Sequence, residues 1–190
     1  MVEVIETAIK DVKIMEPGKF GDHRGFFSET WNKKALAEAG IAADFVQDNH
    51  AFSAARGTVR GLHYQCGEYA QGKLVRVTRG AVLDVAVDIR RGSPTFGQHV
   101  AVELSAENWR QLWVPAGFAH GYVTLSADVE FLYKVDNDYS PAHEAGIIWN
   151  DPDLQIDWKI TAEEAKLSDK DKVLPRLKDQ HQLFDYGDNS

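Results

Sequence analysis

The stretch Lys73-Leu74-Val75-Arg76-Val77-Thr78-Arg79-Gly80-Ala81-Val82-Leu83-Asp84-Val85-Ala86-Val87-Asp88-Ile89 reads as two strands folded about one glycine. Side chains alternate across a strand, so residues two apart share a face. In 81–89 every odd position is apolar, which marks that face for burial, while Asp84 and Asp88 share the other. In 73–79, Lys73 takes the parity of Val75 and Val77. An amine in register with buried valines costs free energy unless something answers its charge.

The same pattern continues on both sides. Strands are expected at 45–53, 59–65, 98–104, 110–114, 117–125 and 129–136, with Arg91-Gly92-Ser93-Pro94 as a turn. Before them, 2–15 gives short opening strands, Pro17, Gly18, Gly21 and Asp22 a loop, and 26–31 another strand. Residues 33–39 form a helix rich in Ala, Leu, Lys and Glu that stops at Gly40. After 136, a loop with a short extended piece is expected at 150–158, and a brief helix at 161–166 opened by Thr161 with Glu164 three residues on. A last helical turn starts at 168–171, and 187–190 frays. Many short strands without alternating helices predict an all-β, antiparallel sandwich or barrel, one domain over 1–190 with a short C-terminal helical extension.

The chain is 44% hydrophobic and 26% charged, as ordinary globular proteins are. Its net charge of -8 excludes a nucleic-acid binder that works through a broad basic face. The single cysteine, Cys66, excludes an internal disulfide framework and fits a reducing compartment. Glu3, Glu6 and Lys10 interrupt the N-terminal apolar residues, unlike a signal peptide, and no apolar run approaches the roughly 20 residues of a membrane span. The expected location is the cytoplasm, with no membrane partner.

A second stretch, Gly57-Thr58-Val59-Arg60-Gly61-Leu62-His63-Tyr64-Gln65, carries the chemistry. Arg60 suits a phosphate, and His63 titrates near neutrality. On a straight strand the two would point apart; a bend at Gly61 would let both reach one cavity. His120 shares a face with Phe118 and Tyr122, and Tyr133 with Val129, Phe131 and Val135. His63, Lys73, His120 and Tyr133 would then converge inside a barrel, a functional-site cue. Taken singly, each keeps a bland alternative. His63 and His120 fit structural histidines, Lys73 a solvated strand edge, Tyr133 a core tyrosine, and Arg24 and Arg60 the surface. Asp171, in the run Asp169-Lys170-Asp171-Lys172, reads as part of a solvated turn. A metal site is not expected, because Gln65 stands where a second histidine would complete a pair and no Cys or Glu ligand is placed beside it. The chain has no GxGxxG or GxxxxGK[ST] loop either.

Taken in order, several segments resemble the dTDP-4-dehydrorhamnose 3,5-epimerase family, whose fold is a cupin-type jelly roll. They are Asp22-His23-Arg24-Gly25-Phe26-Phe27 with Glu29, Gln47-Asp48-Asn49, 57–65, Lys73-Leu74-Val75-Arg76, 94–97, 115–121, Tyr133-Lys134, Tyr139-Ser140-Pro141 and 167–171. Cys66-Gly67-Glu68-Tyr69 departs from the pattern by lacking a proline pair.

The resemblance implies that His63 is the base, with Asp171 as its carboxylate partner. It implies that Tyr133 is the acid on the opposite face and that Lys73 stabilises an enolate oxygen. Arg24 and Arg60 would hold a diphosphate, and Phe20, Phe27, Glu29, Gln47, Asn49, His120, Tyr139 and Glu144 would line the substrate pocket. No cofactor is implied. The implied substrate is a dTDP-4-dehydro-6-deoxyhexose, inverted at C3 and C5 on the way to dTDP-L-rhamnose. The implied assembly is a homodimer that exchanges strand residues, so that Arg24, Phe27 and Glu29 serve the neighbouring subunit. An epimerase of a single centre, or a sugar-nucleotide-binding cupin without turnover, shares most of these residues.

Overall fold

The computed structural model describes residues 2–187, so residues 188–190 of the expected frayed end lie outside the described residues. The strands are β1 (Val2–Glu6), β2 (Lys13–Pro17), β3 (Lys19–Asp22), β4 (Gly25–Ser28), β5 (Gln47–Ser53), β6 (Val59–Gln65), β7 (Lys73–Arg79) and β8 (Ala81–Asp88). They continue with β9 (Arg90–Arg91), β10 (His99–Ser105), β11 (Gln111–Val114), β12 (Phe118–Thr124), β13 (Val129–Val135), β14 (Glu144–Gly146) and β15 (Phe184–Asp185). One α-helix, α1 (Lys33–Glu38), is capped where Asn32 accepts from the Ala35 N–H.

Two antiparallel sheets face each other as a cupin-type jelly roll. One has the order β1-β2-β11-β7-β13-β5, and the other β10-β8-β12-β6-β14. Between them lie Val75 and Val77 of β7, Val82 and Ala86 of β8, Phe118 and Tyr122 of β12, and Val129 and Phe131 of β13. Along every strand these residues alternate with a second set.

That second set holds the first departure from the sequence expectation. The Asp84 and Asp88 face of β8 is no less buried than the apolar one, with both carboxylates at 0% exposure. The even face points between the sheets. The odd face, Leu83, Val85 and Val87, is covered from outside by Ile147, Trp149, Leu154, Trp158 and Leu177 of the C-terminal segment. A strand buried on both faces loses the in/out contrast on which alternation depends.

Three further expectations are corrected. Gly21 and Asp22 belong to β3, which pairs with β4 across a turn at His23-Arg24 rather than lying in a loop. Residues 161–166 form turns and no helix. There Glu164 does accept from the Thr161 N–H at 2.8 Å. Lys166, however, pairs in parallel with Thr58, exchanging backbone bonds with Gly57 and Val59, and this long-range pairing overrides the local cap. The helical turn expected to start at 168–171 is a 3-10 turn over Asp171–Val173, but it is not the last: a second covers Leu177–Asp179, and the rest of the C-terminal extension is mostly irregular chain.

The bend expected at Gly61 is a bulge. On β12, His120 faces His63 and Tyr122 faces Arg60, so one residue opposes two. The outer face of β6 accordingly reads Val59, Leu62, Tyr64, a step of three and then of two. Arg60 and His63 both turn inward. The two backbones come very close here: a Cβ on Gly61, whose φ is +123°, would sit 2.6 Å from the Gly121 Cα. One on Gly121 would sit 2.7 Å from the Arg60 carbonyl oxygen. Gly61→Ala should therefore cost on the order of 2–4 kcal/mol of stability, from backbone strain and overpacking together. A urea titration checks this, and a variant as stable as the parent would remove the bulge from its controlling role.

Candidate active site

The inward residues enclose a cavity of about 770 Å³ between the sheets. Its lining includes Arg60, His63, Lys73, His120, Tyr133, Tyr139, Glu144 and Asp171, all singled out from the sequence. The five-stranded sheet supplies Arg60 and His63 on β6 and His120 on β12. The six-stranded sheet supplies Lys73 on β7 and Tyr133 on β13. The histidine and the tyrosine thus come from opposite walls.

His63 Nε2 lies 2.5 Å from Asp171 Oδ1. Burial pushes the Asp171 carboxyl up, but the His63 hydrogen bond and charge, with the Ser168 and Lys170 contacts, outweigh it and hold the group below the ordinary carboxylate range. An ionised carboxylate only accepts, so Nε2 carries the proton and Nδ1 keeps the basic lone pair. Asp171 itself is 3% exposed, which overturns its reading as a solvated turn. It gets there because Leu174 packs against Gly146 of β14, the strand paired to β6. A second histidine is oriented in the same way: His120 Nε2 is 2.9 and 3.1 Å from the two oxygens of Asp84.

The cations are held differently. Arg60 donates to the Ser53 hydroxyl at 3.3 Å and to the Phe52 carbonyl at 3.1 Å, and among the described residues no carboxylate pairs with it. Lys73 Nζ has no hydrogen-bond or ion-pair partner among the described residues. Burial lowers its pKa to about 8, opposed by the charges of Asp136, Asp84 and Glu144. Tyr133 is raised by burial, against the pull of the Arg60 charge, so its hydroxyl stays protonated at neutral pH.

At the mouth, Glu144 bridges to Lys170 at 2.6 Å and accepts from the Tyr139 hydroxyl at 3.2 Å. Gln65 pins the loop that carries Tyr139, accepting from the Ser140 N–H at 2.6 Å and donating to the Asp138 carbonyl at 2.8 Å. Gln47 and Asn49 line an adjoining recess that shares Tyr133 and Tyr139 with the main cavity. Phe20, Arg24, Phe27 and Glu29 do not line the cavity of their own chain. The β3–β4 hairpin holds Phe20 and Phe27 out at 61% and 69% exposure, and among the described residues Arg24 pairs with Asp22 alone.

Tyr122, Lys166 and Lys170 are among the lining residues to which the sequence reading gave no role. Tyr122 shares the parity of His120, and Lys170 adjoins Asp171, so the signal for both was at hand. Lys166 owes its place to the pairing with Thr58 and had none. Among the described residues no three His, Cys, Asp or Glu side chains are grouped to hold a metal ion.

A histidine oriented by a buried carboxylate, and cations without carboxylate partners among the described residues, inside a double sheet are the equipment of a jelly-roll isomerase. Comparison with known proteins makes the class specific. The family model described as dTDP-4-dehydrorhamnose 3,5-epimerase matches residues 6–179, and the chain belongs to that family. The chain is 60% identical to the dTDP-4-dehydrorhamnose 3,5-epimerase of Pseudomonas aeruginosa over 172 residues, 90% of this chain and 93% of that one. It is 57% identical to the Salmonella typhimurium enzyme of the same name over 178 residues, covering 93% and 96%. Among solved structures, dTDP-6-deoxy-D-glucose-3,5-epimerase from Legionella pneumophila in complex with dTDP-4-keto-L-rhamnose superposes with a TM-score of 0.94. It is 49% identical, over 98% of this chain and 99% of that one.

The Lys73 pKa sets a pH signature. In the free protein the ammonium is present below pH about 8 and lost above it. If Lys73 must be charged, kcat/KM falls tenfold per pH unit on the alkaline side of about 8. Folding stability moves the other way. From about 8 to 10.5 the unfolded chain keeps a proton that the folded one has released, so stability rises across that window. A pH–rate profile alongside Lys73→Met checks this; the same alkaline limb in the variant would assign the limb elsewhere.

Proposed function

We propose that this chain inverts C3 and C5 of dTDP-4-dehydro-6-deoxy-D-glucose by removing and returning protons next to the 4-keto group, giving the L-configured precursor of dTDP-L-rhamnose. One observation carries the reading: base and acid candidates lie on opposite sheets across one cavity. Inversion demands this, because the proton must leave one face of the ring and return on the other.

His63 Nδ1 takes the proton from the carbon beside the ketone, and the C–H electron pair moves onto the carbonyl oxygen to form an enolate. Lys73 supplies the charge that stabilises this oxygen; its want of a partner in the free protein supports the role. Tyr133 delivers its proton to the other face, and exchange with solvent resets both groups before the second carbon reacts. Arg60, held by Ser53 and the Phe52 carbonyl but with no carboxylate partner among the described residues, takes the diphosphate. His120, Tyr139, Glu144, Gln47 and Asn49 position the sugar and nucleotide from the cavity and its adjoining recess. Each step moves protons only, so the scheme calls for no redox cofactor or metal.

The exposed hairpin supports a homodimer. Phe20, Phe26 and Phe27 are all more than half exposed around Arg24. Seated on the partner, this hairpin would bring Arg24, Phe27, Phe20 and Glu29 to the other subunit's cavity. The lone thiol fits a reducing compartment, and we place the enzyme in the cytoplasm.

In heavy water the product should carry deuterium at both C3 and C5. His63→Ala should slow both exchanges by about 10³-fold, and Tyr133→Phe should slow inversion more than the first proton removal. Mass and NMR analysis of the product decides; undiminished exchange in His63→Ala ends the base assignment. Mixing Arg24→Ala with His63→Ala subunits after dissociation should restore about a quarter of the parental activity, through the one intact site of each heterodimer. No recovery in a mixture shown to contain heterodimers would leave Arg24 serving its own subunit or none.

A further inference from the structure

Tyr122 is 5% exposed and lines the cavity. Its ring is stacked on Phe131 at a centroid separation of 4.1 Å. Among the described residues its hydroxyl is the one buried side-chain polar atom with no hydrogen-bond partner. Ser53 and Arg60 stand on its polar side and pull its pKa down against burial, yet no hydrogen bond of good geometry reaches it from either, and the Ser53 oxygen already accepts from the Arg60 guanidinium. A phenylalanine would fill the same space without leaving an unanswered donor and acceptor, so the oxygen is a standing cost to the free protein. Such a cost suits a group that finds its partner on the ligand.

Two anchors fix which part of the ligand reaches it. Tyr122 is the cross-strand neighbour of Arg60, so it lies directly inside the proposed diphosphate clamp, and the diphosphate hangs on C1 of the hexose. Lys73 lies at the other end. On β13 it pairs with Val135, two residues to one side of Tyr133, whereas Phe131, under the Tyr122 ring, lies two residues to the other side. A pyranose carries C1 directly opposite C4. With the C4 oxygen on Lys73 and the diphosphate under Arg60, the C1 end of the sugar ring faces Tyr122. We infer that the Tyr122 hydroxyl is a positioning group that hydrogen-bonds a sugar oxygen at the C1 end of the bound hexose and thereby sets the ring between His63 and Tyr133. This rests on the epimerase reading above.

Tyr122→Phe removes the oxygen alone. With dTDP-glucose, which has no 4-keto group and is not turned over, calorimetry should show affinity about tenfold weaker than for the parent, while dTDP itself binds unchanged. In turnover, KM should rise by about the same factor with kcat within about twofold, the pattern of lost ground-state and transition-state binding alike. The melting temperature of the ligand-free variant should equal or exceed that of the parent. Unchanged dTDP-glucose affinity overturns the inference. So does an equal loss for dTDP, which would put the hydroxyl on the diphosphate, and so does a lower melting temperature with both ligands weakened, which would make it structural. A parent protein that takes up no deuterium from heavy water would instead overturn the epimerase reading, so the two failures are distinguishable.

Discussion

Two backbones lie against each other at Gly61 and Gly121 with no room for a side chain on either, and the site depends on that contact. It lets one residue of β12 face two of β6, which resets the alternation of β6 in mid-strand. Without the reset Arg60 and His63 would be on opposite faces, one in the cavity and the other in the outer cluster. The same irregularity fixes the outside of the sheet. Val59, Leu62 and Tyr64 form a surface on which the C-terminal segment packs, and that segment carries Asp171 to His63 from 108 residues away. A single extra residue in one strand therefore positions the proposed base, the proposed anion clamp and, at one remove, the carboxylate bonded to His63.

The charges in the cavity follow a division of labour. Both inward carboxylates that face a histidine, Asp171 and Asp84, spend their acceptor capacity on ring nitrogens. The two cations proposed to meet the ligand, Arg60 and Lys73, are left without carboxylate partners among the described residues. In a chain of net charge -8 this leaves a local positive site lined by low-dielectric walls. An opposite charge about 4 Å away in such a setting is worth about 4 kcal/mol at an effective dielectric constant of 20. That is enough for the substrate's own anions, a diphosphate at one end and an enolate oxygen at the other, to offset what burial costs the amine.

Much of this was written in the local sequence. Residues 59–65 and 73–79 were delimited to the residue, because glycines and other turn residues bound them on both sides. The convergence of Lys73, His120 and Tyr133 followed from the same parity. What parity could not show came from contacts distant in sequence. Asp84 and Asp88 looked like a solvent face because nothing local announces a C-terminal segment laid over the other side. Asp171 sits in a run of alternating charges that is solvated in most proteins, and only resemblance to a family singled it out. Thr161 and Glu164 form half of a capping box, but the pairing of Lys166 with Thr58 decides the backbone there. The β3–β4 hairpin was half-missed, since Gly21 and Asp22 favour turns and the pairing is with residues only a few positions on.

The two-sheet architecture also explains why this chemistry is at home here. Proton transfer on both faces of a flat enolate needs two groups facing each other at fixed separation, and a group on a loop would not hold that separation. Sheets packed face to face lie about 10 Å apart, roughly the thickness of a sugar ring flanked by two side chains. His63 and Tyr133 each stand on an interior strand of its sheet, bonded to neighbours on both sides, so neither can shift without moving the sheet. The mouth is built from the irregular parts instead: the Tyr139 loop, the Glu144–Lys170 bridge and the turn that carries Asp171. Rigid walls keep the reacting geometry while irregular segments shape the opening, and the sequence distributes strand formers and turn formers along that line.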